Sequence, residues 1–188
     1  MATLTIPDRK FSTSEPTEIK NYLANIGIDY DVWPVVEIAA DADNDTILKA
    51  YAEKIEEAME QGGYTSVDVV NVAPLTPGLD EMLAKFNREH WHDEDEVRFT
   101  AAGGGVFHIH PPNGPVVGIQ VGPGDMIRVP RGTHHWFDLC NTRQIKAVRF
   151  FQDKSGWTPH YTGSDVAQGY EPVCLGPQYI PVSHSSSH

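Results

Sequence analysis

Cysteine is scarce in this chain: Cys140 and Cys174 are the only two in 188 residues, and neither lies in a CxxC motif. A disulfide framework needs more cysteines at recurring spacings, so none is indicated. Two reduced, mostly buried thiols of a cytoplasmic protein are the expectation. Positive charge is scarce as well. The 14 Lys and Arg face 26 Asp and Glu, for a formal net charge of −12 with histidine neutral. That balance argues against nucleic acid as the main partner, because phosphate binding needs a positive field. It also disfavours an anionic membrane surface. Any bound anion would need a locally placed cation, which makes single arginines informative. No apolar run approaches the ~20 residues that span a bilayer. The start, Met1-Ala-Thr-Leu-Thr-Ile-Pro-Asp, lacks the basic residues and apolar stretch of a secretory leader. Cytoplasm is the expected compartment.

Hydrophobic residues make up 40% of the chain, enough to build a core. The length fits one domain over residues 1–188. Pro16 follows the candidate N-cap Ser14, and Ile19, Tyr22, Leu23 and Ile26 mark one helical face before Gly27. A second helix is predicted from about Asp45 to Gln61, with Leu48, Tyr51, Ile55 and Met59 at helical spacing and Gly62-Gly63 as its stop. A third begins near Pro77 and carries Leu79, Met82, Leu83 and Phe86. Ile28–Val32 and Val67–Val72 read as short strands. From Glu96 to about Phe151, short strands alternate with turn signals at Gly103–Gly105, Pro111–Gly114, Gly122–Asp125, Pro130–Gly132 and Asn141-Thr142. That spacing suggests a mainly β fold, an antiparallel barrel or jelly roll with N-terminal helices. Residues from about 1 to 88 would decorate it, about 89–160 would form its core, and about 161–188 would be an extension. The end, Ser183 to His188, reads as a loose polar tail whose histidines serve no site.

The strongest chemical signal is His90-x-His92-x-x-x-Glu96. Alternate residues of a strand share a face, so His90 and His92 can point together and Glu96 can join them. Two imidazoles and a carboxylate suit Fe(II), Ni(II), Mn(II) or Zn(II). Gly124, Pro130, Gly132 and His135 then read as strand, tight turn and strand. His108-Ile109-His110 is a rival pair, but Pro111-Pro112 follows it instead of a carboxylate, which points to a strand end or surface. His134 and His135 would face opposite ways on a strand, so only one can join the set. His160 follows Pro159 in a loop, where a structural or surface role is expected.

These motifs resemble the cupin superfamily. Gly103 follows Glu96 after six intervening residues, completing the first cupin motif, and Gly-x5-Pro-x-Gly-x2-His matches the second. Leu139 replaces the usual closing asparagine, a departure that touches a turn and not a ligand. The surrounding segments narrow the resemblance. Glu89-His-Trp-His-Asp-Glu-Asp-Glu-Val-Arg-Phe99, Val129-Pro-Arg-Gly-Thr-His-His-Trp-Phe137, Ala147-Val-Arg-Phe-Phe151 and Gly156-Trp-Thr-Pro159 resemble acireductone dioxygenases over about residues 67–160.

The resemblance implies His90, His92, Glu96 and His135 as ligands of one Fe(II) or Ni(II) per chain. It implies that Arg98 helps generate and hold a substrate dianion, and that Phe99, Phe137 and Trp157 line the substrate. Asp95 and Glu89 match acidic positions with secondary roles, in conformational coupling and metal incorporation respectively. The implied reaction is cleavage of an acireductone by dioxygen in methionine salvage, by a monomeric enzyme. Two alternatives keep the same fold: a metal-dependent cupin isomerase of sugars or keto acids, and a non-catalytic cupin that binds metal or a small ligand.

Overall fold

The computed structural model describes residues 2–172 and 174, so the predicted tail lies outside the described residues. The chain opens with a hairpin absent from the pattern reading, β1 (Thr3–Ile6) and β2 (Phe11–Thr13). Leu4 and Ile6 point into the core while Thr3 and Thr5 do not, the period of two that a half-buried strand requires. α1 (Pro16–Asn25) buries Ile19 and Leu23. Its N-cap is Glu15, whereas the Ser14 hydroxyl bonds to Thr3 Oγ1 at 3.0 Å. Gly27, at φ +81°, turns the chain towards β3 (Asp29–Val32), a backbone angle that suits glycine.

The single helix expected over 45–61 is two, α2 (Asn44–Ala50) and α3 (Ala52–Gly62). The break falls at Tyr51, whose hydroxyl accepts the Val36 N–H at 2.9 Å and whose ring meets Phe99 edge-on. Tertiary anchoring overrides the unbroken periodicity there. β4 (Ser66–Val72) and α4 (Leu79–Phe86) lead to the short β5 (His90–Trp91). Then come β6 (Glu96–Gly103), β7 (Gly105–His110), β8 (Val117–Val121), β9 (Asp125–Val129), β10 (His134–Leu139) and β11 (Ile145–Phe151). β12 (His160–Tyr161) pairs back onto β5.

The strands form a seven-stranded sheet in the order β12-β5-β10-β7-β8-β1-β2 and a five-stranded sheet in the order β3-β9-β6-β11-β4, with antiparallel pairing throughout. The fold is thus mainly β and cupin-like, with helices near the N-terminus. The first 88 residues are more than decoration, because β1, β3 and β4 are hydrogen-bonded members of the two sheets. No helix of the described residues is long and apolar enough to cross a membrane.

Two cores flank the five-stranded sheet. Phe107, Ile109, Ile119, Ile127, Phe137 and Ala147 belong to the one between the sheets. On the other side, Trp33, Ile47, Tyr51, Ile55, Phe99 and Phe150 pack α2 and α3 onto the sheet. Trp33 stacks on Phe99 with centroids 4.5 Å apart. Burying each such side chain contributes about 1.5–3 kcal/mol. β6 separates the two environments. Glu96 and Arg98 face between the sheets, and Val97 and Phe99 face the helices.

The expectation of free thiols is corrected: Cys140, just after β10, is joined to Cys174 in a disulfide across 34 residues of sequence. No spacing rule announces such a pair. It forms because the chain beyond β12 folds back over the outer face of the seven-stranded sheet, where Tyr170 lies against Trp136 and His108.

Candidate metal centre

His90 and His135 are direct cross-strand partners on β5 and β10, so one face of the seven-stranded sheet presents both rings. Glu96 opens β6 in the opposite sheet, and His92 lies in the turn between them. The four donor atoms lie within 4.8 Å of one another. His90 is 1% exposed, His92 and His135 2%, and Glu96 3%. His92 Nε2 and His135 Nε2 approach the same oxygen, Glu96 Oε2, at 3.1 and 2.9 Å.

The backbone fixes how the rings present themselves. His90 Nδ1 faces the Arg88 carbonyl at 2.6 Å, His135 Nδ1 the Thr133 carbonyl at 2.8 Å, and His92 Nδ1 the Thr158 carbonyl at 3.3 Å. A carbonyl can only accept, so each Nδ1 carries the hydrogen and each Nε2 keeps its lone pair for the centre. His92 Nε2 is buried and, despite its nearness to Glu96, makes no hydrogen bond. A buried lone pair left without a partner is costly unless something else satisfies it. Three imidazole nitrogens and a carboxylate fit a transition-metal ion.

The local electrostatics favour a charged Glu96. Burial alone would raise its pKa, but the Arg98 guanidinium, with His135 and His92 close by, outweighs burial and holds it well below the usual carboxylate range. Burial, reinforced by repulsion from His135, pushes His90 down to about 4. A neutral imidazole is the form that donates to a metal.

Arg98 Nε lies 2.7 Å from Glu96 Oε1, an ion contact without the alignment of a directed hydrogen bond. Burial lowers the Arg98 pKa, and Glu96 opposes that shift. The guanidinium sits in an aromatic cage, 5.1 Å from the Phe137 ring centroid and 5.6 Å from those of Phe107 and Trp157. Trp157 also lies nearly parallel to the His92 ring, at 6.0 Å and 25°. Phe137 and Trp157 thus border the cluster, as does Phe107, which the sequence reading overlooked. The overlooked signal was parity: Phe107 is the cross-strand partner of Phe137, on the same inward face of β7 and β10.

Two of the expected site residues do not point towards the cluster. Phe99 is one residue out of phase with Glu96 and Arg98, so it points into the helix-side core between Trp33 and Tyr51. Asp95 also turns away. Its carboxylate accepts from Arg128 Nε at 2.9 Å and from the Arg131 N–H at 3.0 Å. It borders a cleft of about 610 Å³ on the far side of the five-stranded sheet, which touches none of the four clustered residues.

The rival histidines divide. His108, expected at a strand end or surface, is 3% exposed and stacked on Trp136 at 5.0 Å. Burial pushes its pKa down to about 4, and burial pushes the nearby Asp138 up to about 6. His160 stacks on Trp91 and pairs with Asp93 at 2.6 Å. Glu89, buried next to His90, accepts hydrogen bonds from Thr162 Oγ1 at 2.7 Å and from His110 Nδ1. Burial raises the Glu89 pKa, but those bonds outweigh it and leave the carboxyl below its usual range. His134 Nδ1 stands 3.8 Å from the same carboxylate.

The profile of the ARD/ARD′ family matches residues 8–159. The acireductone dioxygenase of Xylella fastidiosa is 40% identical over 184 residues, covering 97% of this chain and 94% of that protein. The acireductone dioxygenase of a Picosynechococcus is 40% identical over 176 residues, covering 93% of this chain and all 100% of the relative. Among solved structures, the acireductone dioxygenase of Bacillus anthracis with a cadmium ion in its active centre superposes with a TM-score of 0.80 at 32% identity. That match covers 86% of this chain and 98% of the other. Both sheets and all four clustered residues lie within or beside the matched span, and the chain belongs to the ARD/ARD′ family.

Proposed function

We propose that the chain acts as an acireductone dioxygenase, cleaving 1,2-dihydroxy-5-(methylthio)pent-1-en-3-one with dioxygen in methionine salvage. The observation that carries this reading is the buried cluster of three imidazoles and one carboxylate, set beside a buried arginine. His90, His92, Glu96 and His135 would hold one Fe(II) or Ni(II). Bound there, such an ion would supply the Lewis acidity that eases ionisation of the substrate.

The protein's own groups account for the rest. Arg98 stays charged at any accessible pH, so it stabilises the anionic enediolate without being neutralised by it. The low dielectric set by Phe107, Phe137 and Trp157 strengthens that attraction, and the rings keep water from the anion. The carbonyls behind the three Nδ1–H groups hold the imidazoles in register, so little reorganisation is needed during reaction. Glu89 and Asp95 do not touch these groups directly; Glu89 acts from the neighbouring cluster and Asp95 from the far side of β6.

With iron the expected products are 4-methylthio-2-oxobutanoate and formate. With nickel they are 3-methylthiopropanoate, formate and carbon monoxide. Oxygen uptake and product analysis on each metal form test the reading, and carbon monoxide should appear only with nickel. Isomerisation of a sugar or keto acid without oxygen uptake would favour the cupin isomerase. Metal binding without turnover would favour a binding protein.

A further inference from the structure

The two faces of β10 each carry a histidine at the same end of the strand. His135 points into the buried cluster. His134 points outward and lies directly opposite His110, its cross-strand partner on β7. Glu89 reaches between them from the residue before β5, and the three donor atoms lie within 4.8 Å of one another. We propose that Glu89, His110 and His134 form a second site for a divalent transition ion such as zinc or nickel.

The donor chemistry is that of an open zinc-type site, with two imidazoles and one carboxylate leaving a position for water. Bound ligand atoms around such an ion sit about 3.4 Å apart. The carboxylate already lies in contact with His110 Nδ1 and 3.8 Å from His134 Nδ1. Only a short swing of His134 is needed, and its side chain is 47% exposed and free to make it.

The carboxylate, by contrast, is 3% exposed and held in place. Thr162 donates its hydroxyl to Glu89 Oε1 at 2.7 Å, and the Thr162 N–H donates to the Glu89 carbonyl at 3.3 Å. That is the outer support a ligating carboxylate needs. A chain with a net charge of −12 draws cations to such an opening. The ion would replace the proton that joins His110 to Glu89, and would tie β7, β10 and the segment before β5 at one point. The site opens to solvent, whereas the inner cluster does not, so its ion should exchange faster and bind more weakly.

The test is metal stoichiometry. Nickel-loaded protein is dialysed against rising concentrations of nickel(II) alone, and bound nickel per chain is measured by emission spectroscopy. The wild-type protein should approach two ions per chain. His134→Ala leaves the Glu89–His110 pair intact and alters only an exposed side chain, so the fold is safe. It should weaken the second ion at least tenfold and leave the first in place. His135→Ala should show the reverse loss, which separates failure of this site from failure of the inner one. His184→Ala with His188→Ala removes the tail histidines and should keep both ions. Saturation at one ion per chain, a second ion unchanged in His134→Ala, or a second ion lost with the tail histidines would each overturn the proposal.

Discussion

The two faces of β6 are buried to the same depth and built in opposite ways. Val97, Phe99 and Ala101 are 0 to 3% exposed and pack against rings and aliphatic side chains of α2 and α3. Glu96, Arg98 and Thr100 are 2 to 5% exposed, yet they bring a carboxylate and a guanidinium into the space between the sheets. The helix-side face gains from burial alone. The inner face carries a desolvation cost that pairing only partly offsets, since a buried ion pair often contributes no more than apolar packing of similar volume. Stability therefore resides on one face of the strand and chemistry on the other.

Substitutions on neighbouring positions of β6 should separate these roles. Phe99→Ala should destabilise the fold by about 3–5 kcal/mol, as large truncations in well-packed cores do. Chemical denaturation reads that loss, while the metal content of the folded fraction stays at the wild-type level. Arg98→Met keeps much of the stem's bulk and removes the charge, so it should retain the metal and most of the stability. A desolvated charge-assisted hydrogen bond contributes roughly 1.5–3 kcal/mol, so turnover should fall by about one to two orders of magnitude. Lysine at position 98 should restore part of it, because a point charge lacks the planar fork. If Phe99→Ala cut turnover per folded molecule as deeply as Arg98→Met, the division between the faces would be wrong.

A smaller effect comes from the outer face of the seven-stranded sheet, where Asp138 is half-buried and His108 buried outside any site. Burial raises Asp138 to about 6 from 3.8, so the folded protein holds its proton more tightly than the unfolded chain. Its ionisation costs nothing below the lower value and costs fully above the higher one. Asp138→Asn should thus stabilise the protein at about pH 8 by about 1–2 kcal/mol and change little at about pH 3.5. His108 runs the other way. Burial lowers it to about 4 from 6.5, so stability is lost as pH falls through that window. Melting curves of both proteins across the pH range check the two signs. A stabilisation by Asp138→Asn that did not depend on pH would show that charge burial is not its cause.

Much of the inner site was legible because its residues are close in sequence and obey strand parity. His90, His92 and Glu96 share an even spacing, and the turn at Pro130–Gly132 sets the phase of His135. Parity also explains where Phe99 points. It was assigned by family resemblance, although its odd offset from Glu96 turns it to the helix side. Asp95 has an odd offset too, and its carboxylate turns away from the cluster to Arg128 and Arg131. What the sequence hid are contacts made by tertiary folding alone. The Cys140–Cys174 link spans 34 residues, and His108 looked like a surface histidine until Tyr170 and Trp136 enclosed it. β1 was overlooked because a strand of four residues, Thr3–Ile6, offers too few alternations to stand out.

The central claim is that the His90, His92, Glu96 and His135 cluster holds the metal on which reaction with dioxygen depends. Oxygen uptake with the acireductone, measured beside iron content in wild-type, His135→Ala and His108→Ala proteins, tests it most directly. The account predicts that His135→Ala loses most of its iron and that its oxygen uptake falls by more than about a hundredfold. His108→Ala should keep both. Full iron and undiminished uptake in His135→Ala, or loss of both in a folded His108→Ala protein, would contradict it.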